Sequence, residues 1–432
     1  MSRPTRLAKR LRSWPVTASE TPDTGYLPAM LNPFEPGFFA DPYAQYRLVR
    51  EQDPAHLSPI GMWAFFRYDD VHRILRDPSL SVEERHAKPL NVAVDPEIEA
   101  LMQERREGGA HAMLNLDPPD HHRLRRLVSK VFTPRMIEGL RPRVQQLVDG
   151  HLDVAISAGT EFDVIAGLAF PLPFVVISEM LGIPEGRDRM QLREWSGAVV
   201  KTFDPILTRE EIVASIEAID NIDSYLNEVI AWKRENMSDD LLSALIATED
   251  EGDRLSEAEL FEQVLLLYIA GHETTVNLIG NGTLALLRNR DQLELLVRDD
   301  SLDATFVEEL LRYDSPVQMS RRVTLEPYEV DGKTVEAGSF LMTCLGSANR
   351  DPAKWGPTAD ALDLGRPDAR DHMSFGGGFH SCLGAHLARL EGQVAITTLV
   401  RRFPRVALAS DDLVYNGRIV LRGLTELPVT LA

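Results

Sequence analysis

Phe375-Gly376-Gly377-Gly378-Phe379-His380-Ser381-Cys382-Leu383-Gly384 is the stretch whose reading decides the fold. Three glycines precede a lone cysteine, and a helical run, Ala385-His386-Leu387-Ala388-Arg389-Leu390, follows at once. Glycines let a backbone turn sharply and pass close to a flat ligand. A cysteine at the mouth of a helix meets unpaired amide donors and the positive end of the helix dipole, and both favour thiolate over thiol. The competing reading is a glycine-rich turn whose cysteine is merely buried, as unpaired cysteines often are.

Working back from the loop, the next informative run extends from Ser256 to about Asn289. Ser256 with Glu259 has capping-box spacing, and so does Thr208 with Glu211 further upstream. Val264-Leu265-Leu266-Leu267-Tyr268-Ile269-Ala270 is apolar on every side, which predicts a long helix buried all round. The stripe Leu260, Val264, Leu267, Gly271, Thr274, Leu278 puts Gly271 and Thr274 on one interior face. Into this core the chain inserts Gly271-His272-Glu273-Thr274-Thr275. A mid-helix glycine costs roughly 1 kcal/mol relative to alanine, and a buried carboxylate costs more unless paired or protonated. Local rule-breaking of this kind marks functional sites. An adjacent acid and alcohol can deliver protons. The alternative is a helix bend with threonine hydroxyls bonded back to earlier carbonyls.

Outside these two stretches the chain is Pro-rich up to about Asp41. A helix opens at Pro42-Tyr43 and runs to about Gln52, and Met62–Phe66 reads as a short strand. Residues 81–115 read as a long loop with one charged helical piece. Helical periodicity dominates from His121 to Arg312, punctuated at Thr133-Pro134, Phe170–Pro173, Gly182–Pro184 and Asp204-Pro205. Past Arg322, the runs Tyr328–Val330, Ser339–Met342 and Arg418–Leu421 read as strands. The expected fold is mainly α with a smaller β-rich portion, built around the long central helix. Residues 1–31 are read as an irregular tail and 32–432 as a single domain.

A formal net charge of −20 argues against a nucleic-acid binder. Two cysteines, Cys344 and Cys382, make no disulfide framework and belong to no paired zinc motif. The basic N-terminus is followed by no apolar run long enough for a signal peptide or anchor, so the expectation is a cytoplasmic monomer without a membrane anchor.

The spacing Phe375, Gly378, Cys382, Gly384 closely resembles the haem-binding signature of cytochrome P-450 monooxygenases. A thiolate on such a loop suits the axial position on haem iron, where it pushes electron density toward O–O cleavage. Ala270-Gly271-x-Glu273-Thr274-Thr275 resembles the family's oxygen-activation motif, Glu309-Leu310-Leu311-Arg312 its Glu-x-x-Arg element, and Asp117–Arg126 the start of its C helix. The resemblance runs from about Asn32 to Ala432 and implies the P-450 fold, with haem b as cofactor and Cys382 as iron ligand. Phe375, Gly376, His380 and Gly384 would cradle the haem, with Ala270 and Gly271 on its other side. His121, Arg125, Arg322 and His380 would hold the propionates. Glu273 and Thr274 would be catalytic, with Thr274 bonding the activated oxygen and Glu273 relaying protons. Arg366 would complete the Glu309–Arg312 pair, although Leu362 stands where the family usually carries phenylalanine. His272 is expected to be a wall or structural residue. Substrate contacts would fall around 81–115, near 190–230, and at Ala270, Val317-Gln318-Met319 and Gly423-Leu424.

The implied activity is hydroxylation or epoxidation of a lipophilic compound, with macrolides, polyketides, terpenoids, steroids and fatty acids all open. Electrons would come from NAD(P)H through a ferredoxin or similar carrier and its reductase, because the chain has no flavin or nicotinamide fingerprint and no iron–sulfur cysteine pattern. Arg123, Arg126 and Lys130 read either as a solvated basic face or as a patch for an acidic redox partner. A peroxide-driven peroxygenase and a non-catalytic haem sensor are the alternatives. Both are disfavoured by the acid–alcohol pair.

Overall fold

The computed structural model describes residues 31–91, 96, 111–183, 189–250 and 252–431. The expected tail and much of the 81–115 loop therefore lie outside the described residues. Seven helices carry the argument: α1 Asp120–Val131, α2 Pro171–Met180, α3 Arg189–Val200, α4 Arg209–Glu235, α5 Glu257–Arg288, α6 Phe306–Tyr313 and α7 Ala385–Arg402. Helix α5 is the expected central helix. Ser256 Oγ accepts from the Glu259 N–H, and the Glu259 carboxylate accepts from the Ser256 N–H, so both halves of the capping box form. Thr208 and Glu211 start α4 in the same way.

The glycines of α5 let neighbouring elements approach. A Cβ on Gly271 would lie 2.9 Å from Ile177 of α2, and one on Gly280 would lie 2.6 Å from Ile165. At Gly282 the contacts would be Leu310 of α6 at 2.9 Å and Ile396 of α7 at 3.1 Å. Close packing thus offsets the weak helix propensity of glycine. A Cβ on Gly392 would sit 3.0 Å from Leu278. With Gly392 beside Leu278 and Ile396 beside Gly282, α5 and α7 run parallel.

The predicted buried-all-round segment differs in one respect. Leu265 and Leu266 are half-buried and Ala270 is exposed. The run Phe170–Pro173 does not separate elements. A π-helical turn at Ile165–Ala169 leads directly into α2, with proline in its first turn, where no backbone donor is lost. A strand, Glu161–Asp163, interrupts the helical region.

Among the described residues a five-stranded sheet runs in the order Ala55–Leu57, Trp63–Phe65, Phe340–Cys344, Met319–Thr324, Leu80–Ser81. Leu341 faces Arg322 in the antiparallel pair, so the sheet register positions Arg322. The predicted strand at Arg418–Leu421 does not form. Gly417 has φ +67°, and the amides of Ile419 and Val420 donate to the Asp204 carboxylate rather than to a strand. Only an isolated bridge joins Leu421 to Val317.

Glu309 and Arg312 of α6 are both 0% exposed and joined by two hydrogen bonds of 2.7 and 2.8 Å. Arg366 Nε lies 3.2 Å from the same carboxylate. Arg312 also donates to the carbonyls of Asn349, Ala359 and Ala361 at 2.7–2.8 Å. Replacing Arg312 with Ala would strand the Glu309 charge and those carbonyls. The expected loss is about 3–5 kcal/mol, the scale for breaking a buried pair on one side, read from denaturant unfolding.

Candidate active site

The cysteine loop is pressed against the helix Tyr68–Arg76. A Cβ on Gly378 would lie 2.8 Å from the Leu75 carbonyl, and one on Gly377 would lie 2.8 Å from the Arg76 guanidinium. Gly376 and Gly378 have φ +68° and +66°, a region that glycine enters without strain. The Cys382 N–H donates to the Phe375 carbonyl at 2.9 Å and closes the loop. Gly384 is the N-cap of α7.

Two residues outside the motif hold the loop's ends. Arg389 of α7 lies over the Phe375 ring at 4.5 Å and donates to Glu308 at 2.7 and 3.0 Å. His372 Nδ1 accepts from the Ser374 N–H, so its Nε2–H donates to Glu308 at 3.1 Å. Burial raises the Glu308 pKa, but hydrogen bonds from His372 and Arg389 outweigh it and hold the carboxyl at about 2. The sequence reading missed both partners. Each sits within a helical or loop pattern that gives no sign of its role.

Burial raises the Cys382 thiol pKa, and the Gly384 N–H, Arg125 and Arg389 oppose that without reversing it. Desolvation thus works against the helix-terminus effect read from the sequence, and a bound cation favours the thiolate. Deep as it lies, Cys382 is exposed at its side chain, so it faces an internal space and not packed atoms. Cys344 is different: it is 0% exposed, and burial pushes its thiol up to about 12.

Beside Cys382 the structure gathers His121, Arg125, Arg322 and His380. The His121 and His380 rings lie 4.2 Å apart. Arg322 is 5% exposed, and its guanidinium meets only the carbonyls of Arg321 and Leu75, at 2.7 and 3.2 Å. Among the described residues no carboxylate pairs with Arg125 or Arg322, and His121 Nδ1 and His380 Nε2 are buried without a partner. Burial, reinforced by neighbouring positive charge, pushes His121 down to about 4 and His380 to about 3. Burial likewise lowers Arg322 to about 10, against the attraction of Asp117. Four donors with nothing anionic to answer them make a site for carboxylates.

On α5, Ala270 is exposed and Thr274 half-buried, so these two lie on an open face of the helix. Thr274 Oγ1 donates to the Ala270 carbonyl at 3.2 Å, the back-bonding expected of a mid-helix threonine. Gly271 instead packs on Ile177, which separates it from the open face. Glu273 is paired. Arg418 Nη1 lies 2.5 Å from its Oε1, a partner that sequence reading missed because the residue sits in the misread strand. His272 is structural: it is fully buried, Nδ1 donates to the Tyr268 carbonyl at 2.8 Å, and Nε2 meets Ser196 Oγ at 3.0 Å.

Several expected contacts lie elsewhere. Gln318 is buried and bonded to Ser315 and Tyr43, and Met319 is 3% exposed. Leu424 is core, and Gly423 packs against Asn277. Arg123 is engaged by Asp253 and Glu259, which removes it from any docking patch.

An exposed thiol facing an internal space, a glycine turn, and donors suited to two carboxylates together fit a haem. The Cytochrome P450 family profile matches residues 82–298 and 302–413. The chain is 41% identical over 419 residues to Cytochrome P450 107B1 of Saccharopolyspora erythraea, covering 94% of this chain and 98% of that one. It is 42% identical to Vitamin D(3) 25-hydroxylase of Pseudonocardia autotrophica, with 92% and 96% covered. The solved structure of PksS, a cytochrome P450 of the bacillaene polyketide synthase of Bacillus subtilis 168, superposes with TM-score 0.82 at 37% identity, covering 93% of this chain and all of that one. The chain therefore belongs to the cytochrome P450 family, oxidoreductases of the monooxygenase class that bind haem iron through a cysteine. Bacterial members use ferredoxin-type redox partners and lipophilic substrates. Among the described residues no helix is long and apolar enough to cross a membrane.

Substituting Arg322 with Leu is expected to weaken haem retention by about 10–100-fold, the equivalent of one charge-assisted hydrogen bond of about 1.5–3 kcal/mol. Haem transfer to an acceptor protein measures it.

Proposed function

We propose that this chain is a monooxygenase that hydroxylates or epoxidises a bulky lipophilic molecule, with Cys382 as the axial iron ligand. The observation that carries the reading is the exposed Cys382 side chain set beside four cationic or donor groups that lack a carboxylate partner. Haem, when bound, supplies reductive activation of O2, with one oxygen atom going to substrate and the other to water.

The chain's own groups do the rest. Cys382 Sγ, oriented by the Gly384 N–H, fixes the iron against the glycine turn. His121, Arg125, Arg322 and His380 would hold the two propionates. Ala270 and Thr274 would lie on the side facing the bound haem, and the Thr274 hydroxyl, donating to the Ala270 carbonyl at rest, would be the group there able to hand on a proton. Glu273, one residue away, takes protons from solvent and passes them inward. Gly271 contributes by letting α2 and α5 meet, not by lining the space.

A ferredoxin with its NAD(P)H-dependent reductase supplies the electrons. Two unpaired cysteines fit a reducing cytoplasm, and the chain works as a monomer. Similarity to both a vitamin D(3) hydroxylase and a polyketide-pathway P450 points to a substrate with an extended apolar skeleton, of the polyketide or steroid-like kind.

An optical titration of the haem-loaded protein with macrolide, terpenoid, steroid and fatty-acid panels tests the substrate class. A saturable spin shift confined to one class is expected, and no response to any class would overturn the reading. Cys382→Ala is expected to abolish the thiolate-type haem spectrum, and an unchanged spectrum would refute the assigned ligand. Thr274→Ala is expected to keep consuming NAD(P)H while product per reductant falls by about tenfold or more, the scale of a lost acid–base group.

A further inference from the structure

Arg418 stands in the connection before the C-terminal strand, far in sequence from the elements it joins. Its Nη1 is 2.5 Å from Glu273 Oε1 on α5, and its Nη2 donates to the Gly197 carbonyl on α3 at 3.1 Å. Both side chains of the pair are largely buried, at 10% and 15% exposure. The backbone on either side is clamped. The Arg418 N–H donates to Asn416 Oδ1 at 3.2 Å, and the next two amides donate to the Asp204 carboxylate at 2.8–3.1 Å. Asp204 closes the 3-10 turn that follows α3, so the same connection grips the end of α3 at two points. A Cβ on Gly197 would be 3.6 Å from Nη2, and a longer side chain there would compete with the guanidinium.

We infer that Arg418 is the positioning residue for Glu273, and that it ties the direction of the proton-relay carboxylate to the seat of helix α3. This rests on the reading of Glu273 as the relay acid. With Oε1 committed to Arg418, Oε2 carries no protein hydrogen bond among the described residues and is the oxygen left to handle protons. A carboxylate that serves in a relay must point at its next partner to within a hydrogen bond. A planar guanidinium with two separate donors fixes that direction, and a lysine ammonium does not reproduce the fork. Any displacement of α3 over the pocket then reaches Glu273 through one side chain.

Four haem-loaded proteins test this: wild type, Arg418→Leu, Arg418→Lys and Glu273→Gln. Three quantities are read: product per NAD(P)H, the solvent deuterium isotope effect on turnover, and amide hydrogen exchange across 192–204 without turnover. Arg418→Leu is expected to lower product per reductant by about tenfold and enlarge the isotope effect, as for a misplaced acid–base group. It should also speed exchange at the C-terminal end of α3. Arg418→Lys keeps a positive partner for Glu273 but loses the fork and cannot also hold Gly197, so it should recover only part of the coupling while exchange stays fast. If both Arg418 variants speed exchange with coupling and isotope effect unchanged, the ion pair is structural and the inference fails. If Glu273→Gln changes neither coupling nor isotope effect, the relay reading itself fails. If Glu273→Gln changes them and Arg418→Leu does not, only the role of Arg418 falls.

Discussion

Arg312 is buried completely, and the path of the chain into the cysteine loop depends on where its charge is answered. Five donors on one planar group meet the Glu309 carboxylate and three carbonyls from the segment that leads toward the loop. Glu309 in turn accepts from the Asp363 N–H and from Arg366. Asn349, whose carbonyl Arg312 holds, uses its side chain to fix Met373 and Ser374, the residues just ahead of Phe375. A buried ion pair is a doubtful source of net stability. Its value here is geometric, because each satisfied donor removes one freedom from the path between α6 and Cys382.

The cationic group beside Cys382 is built on the opposite principle. Its members come from α1, the sheet strand Met319–Thr324 and the loop itself, so three independent elements deliver hydrogen-bond donors to one place. Among the described residues no carboxylate bonds to them, and the lowered pKa values of His121, His380 and Arg322 record chiefly the cost of burial. Burying donors without partners is unfavourable by a few kcal/mol each on the usual scale. Sites that break the rules of a folded interior while the surrounding network obeys them are where a ligand belongs.

What the sequence disclosed follows the range of the interactions involved. The ends of α5 were legible because capping is local: Ser256 and Glu259 are three residues apart and satisfy each other. Glu309 and Arg312 were legible as a pair by spacing, but their complete burial was not, since helix periodicity does not reveal what packs above. The strand expected at Arg418–Leu421 failed because its amides are taken by Asp204, a residue no local pattern connects to them. The desolvation of Cys382 stayed hidden for a related reason. Helix-terminus electrostatics can be read along the chain, whereas desolvation belongs to the assembled protein and here outweighs them. The same distance in sequence hid Arg418 from Glu273.

These points converge on the relation between cofactor and fold. The protein on its own raises the Cys382 thiol pKa and leaves His121 Nδ1 and His380 Nε2 buried without a partner. A haem would bring a cation to the sulfur and two carboxylates toward these donors, and would offset both penalties at once. Binding free energy of that kind is expressed as folding free energy in the elements that supply the ligands. Helix α1, the Arg322 strand and the glycine turn are therefore the elements that the cofactor would complete. The Arg312 network needs no such completion, and it holds the loop in place for the haem to meet.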